Sequence, residues 1–145
     1  MRIIFVCHGN TCRSPMAEAL ALDWLQQRGH QIEVVSAGVS ARLGSPATEH
    51  SQTAMQARGL DLSRHRSRSV WELDLHTTDL VWCMQSAIAQ QVLSERTGIE
   101  CTTLGHAAGT HDEVPDPYGR SLAEYETTAQ LIALRVHAAL SGLAP

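Results

Sequence analysis

Nine consecutive residues near the N-terminus combine thiol, amide, guanidinium and hydroxyl side chains. They read Cys7-His8-Gly9-Asn10-Thr11-Cys12-Arg13-Ser14-Pro15. A short loop between a strand and a helix can turn its backbone N–H groups toward one point, and Gly9 and Asn10 tolerate the left-handed backbone that this requires. Arg13 adds a planar fork that holds two oxygens of a phosphate. The Cys-x5-Arg spacing therefore predicts a loop that binds a dianion at a helix N-terminus.

Cys7 begins this loop and is predicted to be its nucleophile. The loop N–H groups, the helix N-terminus and Arg13 all favour a thiolate over a thiol, so we expect Cys7 to be ionised at neutral pH. Ser14 is placed to donate a hydrogen bond to that thiolate. A buried structural thiol and a dithiol used only for redox work are the alternatives. The second fits less well, because four residues separate Cys7 from Cys12 instead of the usual two.

A nucleophile of this kind needs a proton donor for the leaving group, and the candidate is Asp116. It lies in the segment His111-Asp112-Glu113-Val114-Pro115-Asp116-Pro117-Tyr118-Gly119. The prolines on both sides of Asp116 stiffen the chain, and Tyr118 can form an apolar wall beside it. Asp112 and Glu113 are rival acids, and Asp-Pro is alternatively a turn initiator. The segment thus predicts an acid loop without deciding which acid acts.

The composition predicts a single domain covering residues 1–145. Hydrophobic residues make up 43% of the 145, enough for one sizeable core. The sequence has no apolar run of 18 residues and its N-terminus lacks the layout of a signal peptide, so we expect a soluble, cytoplasmic protein that does not bind membranes. The net charge of −4 argues against nucleic acid as a partner. Composition does not indicate an oligomeric state.

The titratable residues exclude several kinds of chemistry. All eleven basic residues are arginine, which excludes a catalytic lysine. Four cysteines in a chain of this size are expected to be thiols rather than a disulfide framework. We expect no metal site, since the cysteines, His106 and His111 lack the spacing of metal ligands. The basic cluster Arg64-His65-Arg66-Ser67-Arg68 is either a solvated loop or an anion-binding rim around the site.

Alternating strand and helix patterns indicate how these residues are positioned. Buried strands are predicted at 2–6, 32–36, 79–84 and 101–104, and helices after the first loop, ending near Gly29, and at 45–58, 86–96 and 120–140. Such alternation predicts an α/β domain with a four-stranded parallel sheet and helices on both faces. Ligands of these sheets bind beyond the carboxyl ends of the strands. The first loop and the acid loop are both expected there.

Four segments together resemble the low-molecular-weight protein tyrosine phosphatase family over essentially the whole chain. They are Cys7 to Pro15, Ser36-Ala37-Gly38, Leu62-Ser63-Arg64-His65-Arg66-Ser67 and Asp116-Pro117-Tyr118-Gly119. The resemblance implies a two-step hydrolysis of phosphorylated proteins without a cofactor or metal. Cys7 would form a phosphocysteine, Arg13 and the loop amides would hold the phosphoryl group, and Asp116 would protonate the leaving group and then activate water. Inorganic phosphate would be the product and an inhibitor.

The resemblance also assigns supporting roles. Asn10 would hold the loop through a polar network with Ser36 and His65, although His65 is alternatively an exposed histidine of a basic loop. Cys12 would be a redox partner that forms a reversible disulfide with Cys7 and prevents its over-oxidation. The residues implied to contact substrate are His8, Gly9, Asn10, Thr11, Cys12, Ser14 and Tyr118. Of these, His8 alternatively points to water.

Two positions bear on how far the resemblance extends. Gln85 departs from the aspartate of many relatives, so no carboxylate role is transferred to it. Thr11 resembles the bacterial protein arginine phosphatases, where tyrosine-specific relatives usually have isoleucine. Phosphoarginine is therefore the favoured substrate, with phosphotyrosine as the alternative. An arsenate reductase and a non-catalytic phosphoprotein-binding module fit less well, since the first needs further relay cysteines and the second needs no nucleophile.

Overall fold

The computed structural model describes residues 1–143 and is built on a parallel sheet of four strands. The strands are β1 (Arg2–Cys7), β2 (Glu33–Gly38), β3 (Asp79–Cys83) and β4 (Glu100–Thr103), in the order β2-β1-β3-β4. The helices are α1 (Arg13–Gln27), α2 (Glu49–Gln56), α3 (Ser86–Glu95), α4 (Leu104–Ala107) and α5 (Leu122–Leu143), with a short 3₁₀ turn at Val70–Glu72. The predicted fold class is confirmed. No helix within residues 1–143 is both long and apolar enough to span a membrane.

Strand β1 lies inside the sheet and buries both of its faces. Ile3 and Phe5 point into the core shared with α1 and α5, whereas Ile4 and Val6 point into the core shared with α3. This explains why the strand is continuously apolar instead of alternating. Cys7 belongs to the first of these cores. The register of β1 therefore places the thiol on the same side of the sheet as α1.

The two long helices follow the apolar spacing in the sequence. On α1 the predicted face is buried, with Ala17, Leu20, Ala21, Trp24 and Leu25. Gly29 has a φ of 71° and lies where the helix was predicted to end. On α5 the predicted face is also buried, with Tyr125, Ala129, Ile132, Val136 and Leu140. Each large apolar side chain buried in this way contributes roughly 1.5–3 kcal/mol, so these faces hold the helices on the sheet.

Two local predictions are wrong. Helix α2 begins at Glu49 rather than near residue 45, because Thr48 is extended and both Ser45 and Thr48 are bonded to neighbouring segments. Thr48 caps α2, and its backbone N–H donates to the Thr11 carbonyl over 2.9 Å. The predicted loop from residue 105 also contains α4, which Thr103 caps by accepting from the His106 N–H over 3.0 Å.

Candidate active site

The phosphate loop (residues 7–14) curls around the sulfur of Cys7. Asn10 has a φ of 57° and turns its backbone N–H toward Cys7 Sγ, at 3.2 Å. The hydroxyl of Ser14 lies 2.9 Å from the same sulfur. Helix α1 begins at Arg13 with no side-chain cap and no acidic residue in its first turn. Its N-terminus is therefore open to an anion beside a thiol that already receives hydrogen bonds.

Arg13 is buried, and its side-chain hydrogen bonds to other residues within 1–143 are made by one nitrogen, Nη1. Its Nη1 donates to the Gln85 side-chain oxygen over 2.9 Å and to the Val114 carbonyl over 2.8 Å. Its Nε is buried and has no acceptor within residues 1–143. A buried donor without an acceptor costs roughly 1–3 kcal/mol. Because a phosphate oxygen would satisfy this donor, the orphaned Nε indicates an oxyanion site.

Gln85 is a residue whose role the sequence did not reveal. Its amide oxygen accepts from Arg13 without adding a negative charge. The carboxylate near the guanidinium is instead Asp116, whose Oδ2 lies 3.7 Å from Arg13 Nη2. The charge of Arg13 therefore remains largely available to a bound dianion. Only the contact with Arg13 at the start of α1, 72 positions away in the sequence, identifies Gln85, and no local pattern could have done so.

Asn10 is fully buried behind the loop and connects three neighbouring segments. Its Nδ2 donates to Ser14 Oγ over 2.8 Å and to Ser36 Oγ over 3.0 Å. Its carbonyl lies 2.7 Å from His65 Nε2, and its Oδ1 accepts from the Arg68 N–H over 2.9 Å. The three residues implied to support the loop are therefore in contact. These hydrogen bonds stabilise the left-handed backbone conformation of Asn10 and so offset the energetic cost of a positive φ at a residue other than glycine.

Gly38 is a second residue whose role the sequence did not reveal. A Cβ atom at this position would lie 2.6 Å from the carbonyl oxygen of His8 and 2.9 Å from the backbone nitrogen of Asn10. Only glycine lets β2 approach the loop backbone this closely. Gly9, in contrast, does not have a positive φ, so the left-handed residue within the loop is Asn10. The glycine at the end of β2 is the available sequence signal.

The acid loop (residues 111–119) places its three acids in different surroundings. Asp116 lies beside Arg13 and lines the cavity. Asp112 is bound by Arg135 and Thr110, which together lower the pKa of its carboxyl to about 2. Glu113 accepts a hydrogen bond from the Ser86 N–H, and this bond lowers its pKa. Of the rival acids, Asp116 is the one that can exchange a proton with a ligand of the cavity.

The cavity above Cys7 has a volume of about 420 Å³. It is lined by Cys7, His8, Gly9, Thr11, Cys12, Arg13, Ser40, Arg42, Ser45, Pro46, Thr48, Asp116 and Tyr118. Two residues that the resemblance implies to contact substrate do not line it. Asn10 and Ser14 are completely buried, and their side chains bond to each other. His8 lines the cavity and is exposed to solvent.

Two of the four cysteines, Cys7 and Cys12, lie on the α1 and α5 side of the sheet, and the other two lie on the α3 side. Cys12 Sγ lies 3.3 Å from the Tyr125 hydroxyl, whose pKa rises to about 12 through burial and this contact. The sulfurs of Cys83 and Cys101 are 3.8 Å apart on the α3 side, and all four cysteines are free. Because the sheet separates the second pair from Cys7, these thiols are not placed to relay a disulfide to it.

Known proteins are similar to this chain in both sequence and fold. A family model described as low molecular weight phosphotyrosine protein phosphatase matches residues 2–144. The protein-arginine-phosphatase of Bacillus subtilis (strain 168) is 39% identical over 131 residues, covering 88% of this chain and 87% of the relative. These matches define the class of the protein, which is a low-molecular-weight protein phosphatase. The chain belongs to the low molecular weight phosphotyrosine protein phosphatase family.

Solved structures agree with this assignment. A low molecular weight protein tyrosine phosphatase from T. tengcongensis has a TM-score of 0.92 and 34% identity, covering 98% of this chain and 99% of that one. An arginine phosphatase in which serine replaces cysteine, and in which the active-site serine is phosphorylated, has a TM-score of 0.86 and 33% identity. The match covers 99% of this chain and 95% of that one. The similarity therefore extends over the whole fold.

Proposed function

We propose that the protein hydrolyses phosphoarginine in proteins through a phosphocysteine intermediate on Cys7. The observation that carries this proposal is the polarity of the cavity wall. Thr11 and Asp116 both line the cavity, where hydroxyl and carboxyl oxygens can accept hydrogen bonds from the N–H groups of a phosphorylated guanidino group. The relative that is a protein-arginine-phosphatase supports the same choice.

In the first step, Cys7 attacks phosphorus and the bond from phosphorus to the guanidinium nitrogen breaks. Asp116 donates a proton to that nitrogen, so the arginine side chain leaves as a neutral guanidino group rather than as an anion. The Nε of Arg13 and the N-terminus of α1 bind the equatorial oxygens as their charge develops. The Asn10 N–H, 3.2 Å from Cys7 Sγ, and the Ser14 hydroxyl, 2.9 Å from it, are placed to orient the attacking sulfur.

In the second step, the Asp116 carboxylate takes a proton from water, and the resulting nucleophile attacks the phosphocysteine. The bond from phosphorus to sulfur breaks, phosphate is released and Cys7 returns as a thiolate. Ser14 eases this departure by donating to the sulfur from 2.9 Å. Inorganic phosphate fits the same loop as the phosphoryl group, so it is expected to inhibit as a competitive ligand.

Two further roles belong to this proposal. Asn10, Ser36 and His65 position the loop through the network described above. Cys12 lines the cavity with Cys7, and a disulfide between them would form when peroxide oxidises Cys7 to a sulfenic acid and Cys12 displaces water from it. The Tyr125 hydroxyl and Thr48, which contact the Cys12 sulfur, hold this thiol in the reduced enzyme.

Phosphotyrosine is the second candidate substrate, and Tyr118 is the observation that favours it. This side chain is 69% exposed and lines the cavity, where it can stack on a phenyl ring. Tyr118 is the single aromatic residue of the lining within residues 1–143. One exposed ring offers a substrate phenyl group less apolar surface than a cavity enclosed by several aromatic rings would. The other residues that line the cavity favour a polar group.

Position 11 tests the choice between the two substrates. Peptides of one sequence, carrying either phosphoarginine or phosphotyrosine, are compared by phosphate release. The Thr11→Ile variant should lower the ratio of kcat/KM for phosphoarginine to that for phosphotyrosine by roughly tenfold or more, because a hydrogen-bonding group is lost. Thr11→Ser, which keeps the hydroxyl, should retain the ratio. A ratio unchanged in Thr11→Ile would refute the specificity assignment while leaving the phosphatase activity intact.

A further inference from the structure

The basic cluster in the sequence lies next to the active-site cavity. Ser67 accepts from the Gly44 N–H through its carbonyl over 2.8 Å, and its own N–H donates to the Ser45 carbonyl over 2.8 Å. Its hydroxyl also donates to the Arg42 carbonyl. Residue 68 is bonded through its backbone to both Gly38 and the Asn10 side chain. The cluster is therefore fixed to the cavity wall and is not a freely solvated loop.

Arg42, Arg66 and Arg68, which we call the basic rim, are exposed where these two segments meet. Arg42 lines the cavity itself. Within residues 1–143, none of the three forms an ion pair with a carboxylate. Such a concentration of unpaired positive charge stands out in a chain whose net charge is −4.

The charges of the cavity show what Arg42 is free to bind. Apart from Arg42, the charged residues that line it are Arg13 and Asp116, which face each other at 3.7 Å. Because Arg13 binds the phosphoryl group in the proposed reaction, the charge of Arg42 remains available to bind another part of the substrate. Arg42 follows β2 at the mouth of the cavity, which is where the chain of a protein substrate must pass.

We propose that the basic rim selects phosphoproteins whose phosphorylated residue is flanked by acidic side chains, with Arg42 as the residue that binds a flanking carboxylate. This inference rests on the proposed phosphoprotein activity of the same cavity. It makes Arg42 a specificity residue and gives it no part in the bond-breaking steps. The net negative charge of the whole enzyme repels acidic substrates weakly, and the rim reverses this locally.

The test uses phosphopeptides that differ only in their flanking residues. Each carries glutamate, glutamine or lysine on both sides of one phosphoarginine, with a parallel set on phosphotyrosine. Exposed ion pairs are weak, so the wild-type enzyme should prefer the glutamate peptide to the glutamine peptide by roughly threefold to tenfold, mainly through KM. The preference should shrink strongly near 1 M salt, where the Debye length falls to about 3 Å.

Charge reversal at Arg42 should reverse the order of the peptides. The Arg42→Glu variant should hydrolyse the lysine peptide faster than the glutamate peptide. Arg58→Glu is the matched control. Arg58 lies beyond the C-terminal end of α2, whereas Thr48, which lines the cavity, lies at the N-terminal end of that helix. This variant should therefore keep the wild-type order of the peptides. Equal kcat/KM values for the three peptides in the wild-type enzyme would overturn the proposal. A glutamate preference that persists in Arg42→Glu would overturn the assignment to Arg42.

Binding of the same peptides to the Cys7→Ala variant, measured by calorimetry, provides a readout that does not depend on turnover. If glutamate peptides bind more tightly but none is hydrolysed by the wild-type enzyme, the basic rim stands and the proposed function fails. If all three peptides bind equally, the basic rim fails even when hydrolysis is observed.

Discussion

The phosphate loop and the acid loop face the same cavity but are built differently. In the phosphate loop, Cys7 is 2% exposed and Arg13 is 1% exposed. The sulfur of Cys7 lies within hydrogen-bond distance of Asn10 and Ser14 of the same loop, and Arg13 donates to Gln85 and Val114 from distant parts of the chain. In the acid loop, the Asp116 side chain is 44% exposed and bonds the N–H of Tyr118, two residues further on. One loop is part of the core, whereas the tip of the other lies on the surface.

This difference is what the roles proposed for the two loops require. Donors that stabilise developing charge work best when their positions are fixed before substrate arrives, because they then cost no reorganisation during the reaction. A proton donor needs a single atom within hydrogen-bond reach and can adapt to the leaving group. Val114, which is buried, anchors the base of the acid loop by accepting from Arg13 and donating to Met84. The acid loop is thus connected to the phosphate loop through the Val114 carbonyl, which accepts from Arg13.

The largest effect is expected from changing the rigid loop at Arg13. Lysine at this position cannot bind Gln85, Val114 and two phosphate oxygens at once. The Arg13→Lys variant should lose roughly 10⁴-fold in kcat/KM, since each lost oxyanion donor costs about 10²–10³-fold. Phosphate release from a phosphoarginine peptide measures this, with Arg58→Lys as the matched control. A loss no larger than the roughly 10²-fold expected for Asp116→Asn would mean that the phosphate loop tolerates change as readily as the exposed acid loop.

A smaller effect, which depends on the leaving group, is expected from the acid loop. Asp116→Asn should lower kcat/KM, which reports the steps up to the phosphocysteine and not its hydrolysis, by roughly 10²-fold for a phosphoarginine peptide. This is at the low end of general acid catalysis because water can reach the exposed site. With nitrophenyl phosphate, whose leaving group needs no proton, the loss should be under about tenfold. Glu113→Gln, which faces α3, is the control. Equal losses on both substrates would show that Asp116 acts through structure and not as an acid.

The smallest effect concerns the ion pair at the base of the acid loop. Arg135 lowers the pKa of Asp112 to about 2 from an ordinary 3.8, so the pair stabilises the fold above pH 3.8 and this contribution disappears as the pH falls toward 2. Because the Asp112 side chain is 40% exposed, screening limits the contribution to under about 1 kcal/mol.

Urea unfolding measures this contribution. The Asp112→Asn variant should be less stable than the wild type by at most about 1 kcal/mol at pH 7, and the two should converge as the pH falls toward 2. Glu126→Gln, on the exposed face of α5, should show no such convergence. A difference that grows on acidification would contradict the sign of the pKa shift.

The contrast between the loops also explains how much the sequence could reveal. Cys7, Arg13 and Asn10 are recognisable because their chemistry is concentrated in one short segment between a buried strand and a helix. The strands and the apolar faces of α1 and α5 follow from local periodicity. Asp116 could be proposed from its neighbours, but only the fold separates it from Asp112 and Glu113 by sending those acids to other partners.

The remaining features depend on contacts that no local pattern encodes. Gln85 meets Arg13 across 72 positions of sequence, and Gly38 meets the phosphate loop only because β1 and β2 pair in one register. The start of α2 was misplaced because residues 45–48 bond to the phosphate loop and to residue 67 instead of continuing the helix. Each of these features depends on a tertiary contact, and at α2 the hydrogen bonds override the local helical preference.

The covalent role of Cys7 is the central claim, and rapid acid quench tests it most directly. The wild-type enzyme is mixed with a phosphoarginine peptide, quenched within one turnover, digested and analysed by mass spectrometry. The peptide containing residues 7–13 should carry one phosphoryl group in the wild type, should accumulate a stable phosphoserine in Cys7→Ser and should remain unmodified in Cys7→Ala. An unmodified Cys7 peptide in the wild type during turnover, or phosphate release that continues at the wild-type rate in Cys7→Ala, would contradict the account.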